Sequence, residues 1–207
     1  MTEFRFALLA DGSSDRALLY VLEWTLRQGF SGLSWLQPGF GYRSKSGLES
    51  DVQRLARTFE PHVLFVHRDA EGVALEERRR EIPPLPLPCV RVVPVRMTEA
   101  WLLIDERAIR TAAGNPSGVV PLDIPALRRI ERLPDPKSLL RRLLLQASGQ
   151  SGRRRQAQFQ RDIAQRVRRV AESIPDFAPL RDLEAFVAFE EELLRVVGSW
   201  VREQSKS

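Results

Sequence analysis

Four acidic residues stand just past β-rich runs, and their positions suggest chemistry before any fold is drawn. Asp11 closes the run from Phe4 to Ala10. Asp69 and Glu71 follow Val63-Leu64-Phe65-Val66 by way of His67 and Arg68, and Glu99 follows the run from Cys89 to Val95 by way of Arg96. In an open parallel sheet, groups just beyond the carboxyl ends of the strands converge on one crevice. Carboxylates gathered there supply the oxygen ligands that a hard divalent cation such as Mg2+ needs. In extended backbone, residues two apart share a side, so His67, Asp69 and Glu71 are expected to face the crevice together, with Gly72 permitting the sharp exit. Asp69 taken alone reads as the cap of the next helix. Taken with Asp11 and Glu99 it reads as a metal ligand. His67 suits a metal ligand or a proton-transfer group, with a histidine bonded to backbone as the structural alternative. The other histidine, His62 beside Pro61, is expected at an exposed strand start.

The elements needed to hold these residues are legible as patterns. Short β-rich runs alternate with helical patterns through the first hundred residues, the signature of an α/β fold with a largely parallel sheet and helices on both faces. Strands are expected at Phe4 to Ala10, at 33–36 more weakly, at 63–66, and at Cys89 to Val95. Residues 41–47 read as loop. Helical periodicity falls on Leu18 to Leu26, on Leu48 to Phe59, and on Ala74 to Ile82. From Thr98 onward strand signals stop. Helices are expected over Glu99 to Ala113, Pro136 to Ala147 (begun by Asp135), Arg154 to Glu172, and Leu180 to Glu203. We therefore expect an α/β domain over 1–113 and a helical C-terminal half over 114–207 packed on it.

Charge is distributed unevenly. Residues 128–169 hold 13 Arg or Lys against three acids, Glu131, Asp135 and Asp162, so this stretch carries a net +10 within a chain whose total is +5. A concentrated positive field attracts phosphates, and nucleic acid is the partner it suggests. Arg141, Arg142, Arg153, Arg154, Arg155, Arg161 and Arg168 are the expected contacts. Of the 32 basic residues all but Lys45, Lys137 and Lys206 are Arg, so part of the cluster reflects a chain-wide bias. No apolar stretch approaches the roughly 20 residues that span a bilayer, and the N-terminal residues lack a secretory pattern, so no membrane association and a cytoplasmic location are expected. The single cysteine, Cys89, precludes a disulfide within the chain and a cysteine-based zinc site. It reads as a small buried hydrophobe. The loop after the first strand lacks the glycines and lysine of a phosphate-binding loop, and Leu9 stands where a haloacid-dehalogenase-type phosphatase would need an Asp.

Ala10-Asp11-Gly12-Ser13-Ser14-Asp15 and Asp69-Ala70-Glu71-Gly72, each after a strand, resemble the two acidic motifs of Toprim domains, found in topoisomerases, primases and related nucleases. The order of Arg96-Met97-Thr98-Glu99-Ala100-Trp101-Leu102-Leu103-Ile104-Asp105, Asp135-Pro136-Lys137 and Pro175-Asp176-Phe177-Ala178-Pro179-Leu180 is similar to that of a Toprim-related bacterial family of unknown function whose genes often neighbour ATPase genes in defence-type clusters. The resemblance covers nearly the whole chain. It implies a Toprim-like Rossmannoid fold, a metal-dependent nuclease with Mg2+ or Mn2+ on Asp11, Asp69, Glu71 and Glu99, a role in phage defence, and a partner ATPase. Two positions depart from the Toprim pattern: Asp11 replaces the usual Glu, and His67 replaces the first Asp of Asp-x-Asp. Mn2+ tolerates such a nitrogen ligand better than Mg2+. The same departures leave open a binding or adaptor subunit without chemistry. A phosphatase or nucleotidyl transferase acting on small phosphorylated substrates is a third, weaker alternative.

Overall fold

The structure, a computed structural model, describes residues 3–206. Four parallel strands, β1 (Phe6–Ala10), β2 (Gly39–Tyr42), β3 (Val63–His67) and β4 (Cys89–Val92), form one sheet in the order β2-β1-β3-β4. Every residue of β1 and β3 is buried, because both faces of the sheet are covered and a central parallel strand has no solvent side. On one face Ala7, Leu9, Leu64 and Val66 pack against Val52 and Leu55 of α2 (Leu48–Phe59) and against Ile82, which follows α3 (Leu75–Arg80). On the other face Phe6, Leu8, Val63, Phe65, Val90 and Val92 meet α1 (Leu18–Gly29) and the helical half of the chain.

That half comprises α4 (Glu106–Ala112), α5 (Pro136–Ala147), α6 (Arg153–Arg161), α7 (Ile163–Ser173) and α8 (Glu184–Gln204). The fully buried Trp101 packs edge-on against Phe186 and tilts against Phe189, while Trp24 of α1 meets Phe177. Residues on both sides of position 113 thus belong to one continuous apolar core. Glu192 of α8 accepts from the Arg91 amide at 3.0 Å and pairs with the Arg91 and Arg79 guanidiniums, which closes part of the outer edge of β4.

Several elements differ from the sequence pattern, each for a local reason. No strand forms at 33–36; Trp35 makes a single parallel bridge to Phe4, and Phe4 is itself set apart from β1. The edge strand is Gly39–Tyr42 instead. A Cβ on Gly39 would stand 2.9 Å from the Ala7 Cβ, and one on Gly41 would stand 2.6 Å from Leu55, so this strand presents bare backbone to α2 where an alternating apolar pattern would otherwise be read. β4 stops at Val92, two residues before Pro94. The helix expected over Glu99 to Ala113 is two: a 3-10 turn at Thr98–Leu102, then α4, capped by the Asp105 carboxylate accepting from the Ala108 amide at 2.9 Å. The helix expected over Arg154 to Glu172 is likewise broken at Asp162, where Arg166 folds back over the Phe159 ring at 4.1 Å. A 3-10 turn at Ala178–Asp182 precedes α8.

Candidate functional site

The carboxyl ends of β1, β3 and β4 bring Asp11, His67, Asp69 and Glu99 together with Asp15 and Thr98. Gly12 turns the chain after Asp11, and its amide donates to Asp15 Oδ2 at 2.8 Å, which draws Asp15 inward at the start of a 3-10 turn (Ser13–Ala17). The Asp69 amide donates to Asp11 Oδ2 at 3.1 Å, locking the two strand ends to each other. Asp69 Oδ1 accepts from the Thr98 amide at 3.0 Å and lies 3.0 Å from His67 Nε2, which is also 3.2 Å from the Thr98 hydroxyl.

His67 is fully buried at the centre of this group. Burial alone would push its pKa down, but the hydrogen bond to Asp69 and the charges of Asp69, Asp15 and Asp11 outweigh it and raise the value. The imidazolium then donates Nε2–H to Asp69 and turns Nδ1–H toward Asp15 Oδ2, 3.6 Å away. The neutral ring would leave Nδ1 to accept from the Asp11 amide at 3.4 Å. In both forms the close contacts of the ring are at Nε2, so His67 positions Asp69 and Thr98.

Burial raises the pKa of Asp15; His67 opposes that shift, and the charges of Asp69 and Asp11 add to it. Glu99, 5% exposed, is raised by burial first; Lys137 at 3.6 Å lowers it, and Asp69 and Asp15 raise it again. The acids therefore feel one another across the site. Cations line its rim. Arg43, directly after β2, reaches Asp11 Oδ1 at 3.6 Å, and Arg68 Nε lies 3.4 Å from the same oxygen while its Nη2 pairs with Glu81 at 3.2 Å.

Alternation holds for His67 and Asp69 and fails at Glu71. Glu71 adopts a left-handed backbone (φ 51°), Gly72 follows at φ 94°, and the Arg96 guanidinium lies where a Cβ on Gly72 would be, 2.7 Å away. The exposed Glu71 carboxylate makes no contact with the cluster among the described residues. Asp15, Thr98, Arg43, Arg68 and Lys137 were not expected in the site. The spacing Asp11 to Asp15 around Gly12 was the one local signal available for Asp15. Arg43 is hidden from sequence because the strand that positions it is.

The donor chemistry fits a hard divalent cation in part. Asp11, Asp15, Asp69 and Glu99 offer only oxygens, and a cation's charge would offset the burial, and the smaller repulsion between the acids, that raise Asp15 and Glu99. Against that, Asp69 Oδ1 is already taken by His67 and Thr98, Asp11 Oδ1 faces two arginines, and no three His, Cys, Asp or Glu side chains stand in a metal-holding arrangement among the described residues.

The seven arginines expected to bind nucleic acid are all exposed. Of the 13 basic residues in 128–169 only Lys137 takes part in an ion pair among the described residues, whereas Arg54, Arg78, Arg79, Arg91, Arg110 and Arg181 elsewhere are all paired with acids. Arg154, Arg155 and Arg161 line a shallow depression on α6, while Arg168 of α7 lies beside Arg16. A separate cavity of about 440 Å³ lies between the proline-rich segment 83–88 and α8 and shares no residue with the acid cluster. Cys89 on its wall is no nucleophile, because burial and the nearby Glu192 push its thiol up to about 12.

No protein-family model matches the chain, and no curated protein or solved structure matches it. No helix among the described residues is long and apolar enough to cross a membrane.

Proposed function

We propose that the protein is a metal-dependent phosphodiesterase acting on nucleic acid. The observation that carries this reading is the convergence of Asp11, Asp69 and the buried Glu99 at adjacent strand ends, with Arg43 and Arg68 on the same carboxylate. Asp11, Asp69 and Glu99 would hold Mg2+ or Mn2+, which when bound supplies charge stabilisation at the phosphoryl oxygens. Arg43 and Arg68 would trade part of their contact with Asp11 for a substrate phosphate. Glu99 would offer its carboxylate to the cation, whose charge would offset the burial that raises its pKa. His67 keeps Asp69 in place from beneath. The ion-unpaired arginines of 128–169 supply a sequence-independent grip on the phosphate backbone. The Toprim resemblance supports the same reading. It adds a phage-defence role with a partner ATPase, since the sequence holds no nucleotide-binding loop of its own.

A second reading, a nucleic-acid-binding or adaptor subunit without chemistry, is favoured by one specific observation: the described residues hold no ready-made group of three metal ligands. Incubation of labelled single- and double-stranded DNA and RNA with the protein in Mn2+ or Mg2+ separates the two. Hydrolysis that is abolished by chelation and by Asp69→Asn, with binding retained, is the expected result. Binding with no metal-dependent cleavage of any substrate would leave the adaptor reading.

A further inference from the structure

The outer edge of the sheet carries an aromatic side chain that the fold does not use. Tyr42, the last residue of β2, is 53% exposed. Among the described residues neither its ring nor its hydroxyl makes a hydrogen bond or ring contact; only its backbone carbonyl accepts, from Arg54 Nη2 at 3.2 Å. Trp24, Trp101, Phe65, Phe177, Phe186 and Phe189, by contrast, are all buried.

Its place is what gives it meaning. Tyr42 pairs in register with Ala10, the residue before Asp11, and Arg43 after it reaches Asp11. The backbone of Tyr42 thus lies one strand spacing, about 4.8 Å, from that of β1, whose end carries Asp11. Strand alternation sets Tyr42 on the face of Phe40, over whose ring the Arg16 guanidinium lies at 5.1 Å. Toward the start of the strand, Arg16 and Arg168 join Gln37 and Pro38 around a depression of about 120 Å³. An exposed aromatic on a strand that leads into Arg43 and carries Arg16 over its Phe40, beside the proposed phosphate-cleaving site, matches the way single strands are held, with a base stacked on the ring and cations along the backbone. A duplex keeps its bases stacked on one another and offers this ring nothing.

We infer that Tyr42 is a stacking platform for an unpaired base and that the substrate of the acid cluster is single-stranded nucleic acid; this rests on the phosphodiesterase reading above. Fluorescence anisotropy of the full chain in chelator tests it with a labelled single-stranded oligonucleotide, the same oligonucleotide with abasic sites, its duplex, and polyphosphate. Tyr42→Ala should weaken single-strand binding roughly fivefold to a hundredfold, the effect of one base–aromatic stack, and leave the abasic strand, duplex and polyphosphate unchanged. Tyr42→Phe keeps the ring and should restore single-strand affinity. Tyr42→Ala binding the single strand as wild type does, or losing all four ligands equally, would overturn the inference. Metal-dependent cleavage of duplex that Tyr42→Ala leaves intact would overturn it too while sparing the phosphodiesterase reading. Tyr42-dependent single-strand binding without hydrolysis in Mn2+ or Mg2+ would sustain the platform and refute the hydrolytic role.

Discussion

His67 is where the chemistry of the site and the stability of the fold meet. Burial pushes the pKa of this imidazole down, and Asp69 first, then Asp15 and Asp11, more than offset it. Its folded-state pKa is raised above its ordinary value of 6.5, so the folded chain holds this proton more tightly than the unfolded chain. Stability from this group is then fully present below pH 6.5 and is lost as pH rises through the folded value. Asp15 and Glu99, also raised, act with the same sign, starting lower, at their ordinary values of 3.8 and 4.5. Urea unfolding of wild type and His67→Gln across pH should show the wild-type advantage at its widest below pH 6.5 and shrinking above it. An advantage that grows with pH would mean that His67 is neutral in the folded protein. The positions of Asp11, Asp69 and Glu99 follow from their placement after strand-like runs, whereas the burial of His67 and the recruitment of Asp15 depend on packing across three strands.

At the scale of elements, legibility tracked whether a segment's own side chains carry the pattern. The apolar spacing of 48–59 and the Asp135-Pro136 start of 136–147 predict α2 and α5 with both ends correct. α5 needs only its own residues, since Asp135 accepts from the Ser138 amide at 2.9 Å. β2 shows the opposite case. Its identity rests on what is missing at Gly39 and Gly41, whose bare faces admit Ala7, Phe59 and Leu55. A Cβ at Gly39 would stand 2.5 Å from the Phe59 ring and 2.9 Å from the Ala7 Cβ in the central strand, which cannot retreat. Gly39→Ala should therefore destabilise by about 1 to 3 kcal/mol, the usual cost of overpacking, measured by chemical denaturation. It should also lower single-strand affinity by displacing Tyr42 and Arg43. A variant as stable as wild type would show that α2 is not seated against this strand. The two helix breaks, at Leu103–Asp105 and at Asp162, escape a periodicity reading because apolar spacing continues through them while the caps and the Arg166–Phe159 contact stop the helix.

For the whole molecule, the separation of charge is the main functional signal. Asp11, Asp15, Asp69 and Glu99 gather at the sheet's carboxyl edge with Arg43 and Arg68, while the arginines of 128–169 stand outside any ion pair among the described residues. α6 buries only Phe159 and presents Arg153, Arg154, Arg155 and Arg161 to solvent. Replacing Arg153 to Arg155 by Ala should cost little stability. It should weaken binding across unrelated sequences and reduce the slope of log affinity against log salt by roughly 0.7 to 0.9 per lost contact. An unchanged slope would remove α6 from the binding surface. The acid cluster should be indifferent to that change, because charges beyond a Debye length of about 10 Å are screened. The central claim is that this cluster binds a divalent cation through carboxylates, and calorimetric titration of Mn2+ and Mg2+ into wild type and Asp69→Asn tests it most directly. Saturable binding to wild type that weakens by an order of magnitude or more in Asp69→Asn is the predicted result. No binding to wild type, or identical isotherms for the two proteins, would contradict it.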